Sequence, residues 1–153
     1  MKRPFPFPLH LLAAGILLMV SACLTDLADP FAPVVLETSL NPVDGSTVSG
    51  SAAVVSDRRT TEVGIAVNGI GAGETLAWRV YESRCSALGE AVLGVPDHYP
   101  DLVGSAAGTA QAETHLNVPI QRERDYAVAV WRAGAAEEPD RVILACGSFR
   151  DFQ

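Results

Sequence analysis

The chain has 153 residues, and 18 acidic against 11 basic side chains give it a formal net charge of −7 at neutral pH. That acidic balance speaks against a nucleic acid or an anionic lipid surface as partner, because both would repel it. The acids are spread from Asp26 to Asp151 and mark no single acidic centre, while the length suffices for one domain with a core of its own.

Lys2 and Arg3 open the chain, an apolar run follows from Leu11 to Val20, and Val20-Ser21-Ala22 leads directly onto Cys23. A positive start, a short apolar core and a small-residue exit form a secretory signal, and the core is too short to span a bilayer. An incidental cysteine after an ordinary signal is one reading. Small residues ending on cysteine resemble instead the lipobox of bacterial lipoproteins. That resemblance implies that residues 1–22 are removed, that the Cys23 thiol is diacylated, and that lipid tethers the protein to a membrane. Each buried acyl CH₂ is worth about 0.8 kcal/mol, so two or three chains anchor a protein without a spanning helix. Leu24 rather than an aspartate follows the cysteine, which implies the outer membrane of a bacterial cell envelope, facing periplasm or cell surface. Without Lys2 and Arg3 the mature chain keeps nine basic residues, all arginine, against the same 18 acids.

Residues 23–33, with acids and prolines among small apolar residues, read as a lipidated tether, and residues 34–150 as one β-sandwich domain. From Val34 onward apolar residues recur with period two, the mark of strands. Residues 34–41 form a first strand turned by Pro42-Val43-Asp44-Gly45, and residues 48–55 a second, followed by the charged turn Asp57-Arg58-Arg59. In residues 61–67, Val63, Ile65 and Val67 share a face. The glycine-rich Gly69-Ile70-Gly71-Ala72-Gly73 breaks the run; it precedes a strand rather than a helix, so it is no phosphate cradle. Residues 75–82 place Leu76, Trp78 and Val80 on one side and Ala77, Arg79 and Tyr81 on the other. Residues 83–106 are long and irregular, a length that is uncommon unless the loop is functional or stapled down. Alternation returns at residues 110–118, 125–131 and 141–146, the last two separated by the acidic loop at 134–140. About eight short strands and no helical segment predict an all-β fold, an antiparallel Greek-key sandwich or barrel.

With Cys23 used for lipid, Cys85 and Cys146 are the pair left for a disulfide in an oxidising compartment. A bridge over that separation is worth about 4 kcal/mol in the chain-entropy model. The alternative, a thiolate metal pair, has no nearby His or further Cys to complete its ligands.

Several segments resemble the copper/zinc superoxide dismutase family, especially its divergent secreted bacterial relatives and the chordin-repeat-like domains. They are Leu40-Asn41-Pro42, Gly45, Val48-Ser49-Gly50-Ser51-Ala52, Trp78-Arg79-Val80-Tyr81-Glu82, Cys85, Tyr99-Pro100-Asp101-Leu102, Tyr126-Ala127-Val128-Ala129-Val130-Trp131 and Ala145-Cys146-Gly147. The resemblance implies the family's loop-to-last-strand disulfide at Cys85 and Cys146. It also places Arg79, Tyr81 and Trp131 where the family's copper histidines stand, with His98 in Pro96-Asp97-His98-Tyr99 loosely matched to a metal-bridging histidine. An arginine keeps its proton and repels a cation, so the family's redox chemistry is not expected. Period-two geometry turns Arg79, Tyr81 and Trp131 away from Leu76, Trp78, Val80, Val128 and Val130, and the resemblance implies that they cluster beneath the long loop. They either pack that loop down or form a binding surface, since Trp, Tyr and Arg dominate interface hot spots. The expectation is a membrane-anchored, non-enzymatic structural or interaction module with no cofactor, no catalytic residues and an envelope protein as possible partner. Two alternatives are a weak metal site through His98 with Asp97 or Asp101, and a small-ligand site on Arg79, Tyr81 and Trp131. His115, on the polar face of its strand, reads as solvent-exposed.

Overall fold

In a computed structural model, residues 32–134 and 142–151 are described. The signal, Cys23 and most of the tether lie outside them, as does nearly all of the acidic loop at 134–140.

The fold is all-β and antiparallel, as expected. Its strands are β1 (Val34–Pro42), β2 (Ser49–Ser56), β3 (Thr61–Asn68), β4 (Thr75–Tyr81), β5 (Leu102–Val103), β6 (Thr109–Leu116), β7 (Ala127–Arg132), β8 (Ile143–Ser148) and β9 (Arg150–Asp151). They pair in the order β5-β4-β7-β8-β1-β2-β3-β6, with β9 beside the first half of β1. The two ends of that order, β5 and β6, are joined by a tight turn in which Ser105 N–H donates to Thr109 O at 2.9 Å, so the sheet nearly closes into a barrel. Strands β4, β5 and β6 follow one another and β7 crosses back to lie beside β4, which is a Greek-key connection.

Period-two alternation explains each strand. Leu36 and Leu40, Ala52 and Val54, Val63, Ile65 and Val67, Leu76, Trp78 and Val80, and Val128 and Val130 all point into one core. Ser56 and Thr61, buried among these side chains, are paired, as burial demands. Thr61 Oγ1 donates to Val118 O at 2.6 Å and lies 2.8 Å from Ser56 Oγ, which in turn accepts from Ile120 N–H at 2.9 Å. That capture of Val118 bends the chain away, and β6 accordingly stops at Leu116 instead of running on to residue 118.

The region 83–106 is less irregular than its composition suggests. It contains a 3₁₀ turn at Pro96–His98 and the short strand β5. Its anchor is Trp78, whose Nε1–H donates to Pro100 O at 2.7 Å and whose ring meets Tyr99 edge-on at 5.0 Å between centroids. Among the described residues the last long strand runs from Ile143 to Ser148, with residue 141 outside them, and the extra pairing strand β9 follows it. Between β7 and β8 the register shifts at Val130/Trp131, where Val130 faces Ala145 and Trp131 faces Ile143, leaving Leu144 as the extra residue of β8.

Glycine is required where strands approach too closely for a side chain. A Cβ on Gly50 would lie 2.0 Å from Ala66 O, whereas one on Gly64 would meet nothing within 4 Å. Gly50→Ala is expected to lower unfolding free energy by about 1–3 kcal/mol through overpacking. Gly64→Ala, which relieves the cost of an unneeded strand glycine, should hold or raise it. Denaturant titration of both variants checks the opposite signs.

Candidate functional site

Most strands of this barrel bury one face. Strands β4, β7 and β8 bury two. On their outer side Tyr81, Ala127, Ala129, Trp131 and Cys146 form a second apolar layer, with Val43, Ala77, Cys85, Leu88, Val92 and Ile143 packed against it. β7 therefore reads as a continuous buried run from Ala127 to Trp131, the pattern of a strand covered on both faces.

The cover is the chain that follows β4. Residues 82–93 leave Tyr81 and fold back: Glu82 N–H donates to Ala91 O at 2.9 Å and Leu93 N–H to Val80 O at 2.8 Å. Leu93 is carried into the main core, where its carbonyl accepts from the Tyr99 hydroxyl at 2.7 Å. Burial pushes that hydroxyl's pKa well above its ordinary value. The far side of the loop is fixed by a disulfide between Cys85 and Cys146, and beside it Cys85 N–H donates to Ser148 Oγ at 3.0 Å. Arg84 pairs with Asp125 at 2.8 Å, and Arg124 reaches Glu82.

Beneath this cover the three residues singled out from the sequence come together. Ala77 pairs with Trp131 and Arg79 with Ala129, so the Arg79 side chain lies diagonally from the indole. Its guanidinium carbon sits 5.6 Å from the Trp131 ring centroid, within cation–π range. Arg79 is half-buried, and Tyr81 and Trp131 are 0% and 6% exposed. Tyr81 and Trp131 give their area to the buried layer beneath the loop, while Arg79 keeps part of its side chain at the surface. These groups do not suit copper. The guanidinium has no lone pair to give and stays charged, and the indole nitrogen is a donor only.

His98 stands apart, exposed on the 3₁₀ turn; its carbonyl accepts from Thr114 Oγ1 at 2.6 Å. Asp97, Asp101 and His98 form no ligand group. Among the described residues, the three potential ligand groups within 4.8 Å of one another are Glu62, Glu113 and His115. Sequence reading missed this trio because it depends on β3 lying beside β6, which puts Glu62 directly opposite His115. The imidazole Nε2 is 3.7 Å from Glu62 and 3.8 Å from Glu113. Glu113 is raised above the ordinary carboxylate range, chiefly by its hydrogen bond and repulsion with Glu62.

Two other carboxyls sit low. Asp57 accepts the backbone N–H groups of Arg59 and Thr60 at 2.7 Å each, and Glu74 accepts from Gly71 N–H at 3.0 Å and from Arg132 at 3.1 Å. A carboxyl depressed in the folded state stabilises the fold above its unfolded value, and that contribution disappears as pH falls through the folded one. Unfolding free energy is therefore expected to drop on acidification from about 4.5 downward, from ordinary values of 3.8 and 4.5. An Asp57→Asn, Glu74→Gln double variant should flatten that slope in pH-dependent denaturation.

Trp131→Ala, which empties the second layer, should cost about 3–5 kcal/mol. Replacing both Cys85 and Cys146 by Ser should cost about 2–4 kcal/mol. It should also open residues 82–93 to limited proteolysis; unchanged stability in both variants would show that the loop is held by something else.

No family model matches this chain, and no curated protein matches it either, so its own residues and geometry carry the functional reading.

Proposed function

We propose that the protein is a lipid-anchored component of a bacterial cell envelope whose superoxide dismutase-like barrel serves a structural or interaction role without catalysis. One observation carries the reading. Where the resemblance would seat copper ligands, Arg79 is stacked on Trp131 and Tyr81 is sealed beneath a disulfide-pinned loop. Side chains that suit packing and exclude cation coordination occupy the position from which that family's chemistry runs. The disulfide accords with an oxidising compartment outside the cytoplasm. For attachment, the support is the sequence leading into Cys23, and two or three acyl chains there would hold the domain at a membrane surface.

The test uses the full chain, expressed in a bacterial host and extracted from its membranes. Elemental analysis is expected to find copper well below one per chain, and radioactive palmitate should label the wild type and not Cys23→Ser. One tightly held copper per chain would overturn the non-catalytic reading. Palmitate labelling that survives Cys23→Ser would overturn the anchor.

A further inference from the structure

The outer face of β1, β2, β3 and β6, unlike that of β4, β7 and β8, has nothing laid over it among the described residues. On this face β3 and β6 set out a square of four positions. Val63, Ile65, Thr114 and Leu116 are buried on the inner side, so Glu62 and Gly64 of one strand and Glu113 and His115 of the other turn outward. Glu62 stands opposite His115, and Gly64 opposite Glu113. Three corners carry metal-ligating groups, and the fourth carries no side chain.

The donors converge. One ligand atom from each of Glu62, Glu113 and His115 lies within 4.8 Å of the other two, and the imidazole Nε2 is 3.7 Å and 3.8 Å from the two carboxylates. Around a tetrahedral ion with bonds of about 2.0–2.2 Å, ligand atoms stand roughly 3.4 Å from one another. Small rotations of three exposed side chains therefore bring all of them onto one ion, and neither strand has to move.

Gly64 supplies an independent observation. Glycine weakens the interior of a strand, and it persists there at a bulge, a bend, or a place where a ligand or another backbone approaches closely. Row pairing runs unbroken from Ala53 through Gly64 to Glu113, the Gly64 φ is not positive, and a Cβ there would meet nothing within 4 Å. The chain's own packing does not call for the missing side chain. Its absence keeps the fourth corner open to an ion and its water. Ion pairing fits the same reading. Glu74, Glu82 and Asp125 each face an arginine, whereas among the described residues Glu62 and Glu113 share His115, which is charged only when protonated.

We propose that Glu62, Glu113 and His115 bind a divalent cation of the zinc class, with water in the remaining position beside Gly64. One imidazole nitrogen with two carboxylate oxygens suits zinc, whereas calcium and magnesium take oxygen donors. The site lies on β3 and β6, apart from Arg79, Trp131 and His98, and it requires neither lipid attachment nor a protein partner. A bound ion ties β3 to β6 and stabilises the folded barrel by mass action.

The probe is zinc ion alone, titrated into the isotopically labelled full chain in detergent micelles. Imidazole and amide chemical shifts locate it, and calorimetry gives the stoichiometry. One zinc per chain is expected, shifting the His115 imidazole together with the Glu62, Gly64 and Glu113 amides and leaving the His98 imidazole unmoved. His115→Ala, and Glu62→Gln with Glu113→Gln, should each weaken binding by about tenfold or more. Gly64→Leu, which keeps every ligand and fills the fourth corner, should weaken it several-fold. His98→Ala should leave it unchanged, and a large excess of magnesium should not displace the zinc. Zinc should also raise the melting temperature of the wild type and not that of His115→Ala, whose core amide shifts report that it remains folded. Equal loss in His98→Ala, or shifts spread over acidic residues around the barrel, would overturn the proposal and mark an adventitious ion only. Displacement by magnesium would overturn it as well, because bare carboxylate attraction would then suffice. One zinc shared by two chains would overturn the single-chain site and assign the square to an interface between copies.

Discussion

The feature on which the rest depends is that one side of the barrel, β4 with β7 and β8, is buried on both faces. A sheet normally shows one face to water, and a strand such as β7, apolar on both sides, would be an aggregation hazard if left open. Residues 82–93 remove the hazard by folding back over it. They add backbone pairing at Val80 and Glu82 and send Leu93 into the main core. Cys85 then ties the free side of the loop to Cys146, a residue of β8 and of the buried layer itself. Loop, layer and disulfide stand together, because each lacks a partner without the others.

That arrangement also explains why the barrel's two halves differ. The covered half spends its aromatic residues on packing, with the Arg79 guanidinium laid over Trp131 and Trp78 braced against Tyr99. The open half presents serine, alanine and glycine between carboxylates.

Much of this was legible in the residues. Alternation located β1 to β4, β6, β7 and β8 to within a residue or two, because each buries one face of a common core. The same period put Arg79, Tyr81 and Trp131 on the side away from Trp78. The short pieces escaped: β5 has two residues, β9 has two, and neither has length enough to show a period. The Glu62, Glu113 and His115 group and the row through Gly64 were invisible for another reason. Both depend on which strands lie side by side, and the pairing of β3 with β6 is set by a crossover that leaves no local mark. Trp131 and Tyr81 read as packing residues first and binding residues second, since the same residue types serve both; only the strand pairing and the loop show that both lie in a buried layer.

The most direct measurement is native-state hydrogen exchange at the Glu82 and Leu93 amides, which donate across the loop closure, in oxidised and reduced protein. If the disulfide-pinned loop is the cover of the second layer, both amides should be strongly protected when Cys85 and Cys146 are bonded. Reduction should then strip that protection while β2 and β3 keep theirs. Fast exchange in the oxidised protein, or protection indifferent to reduction, would contradict the account.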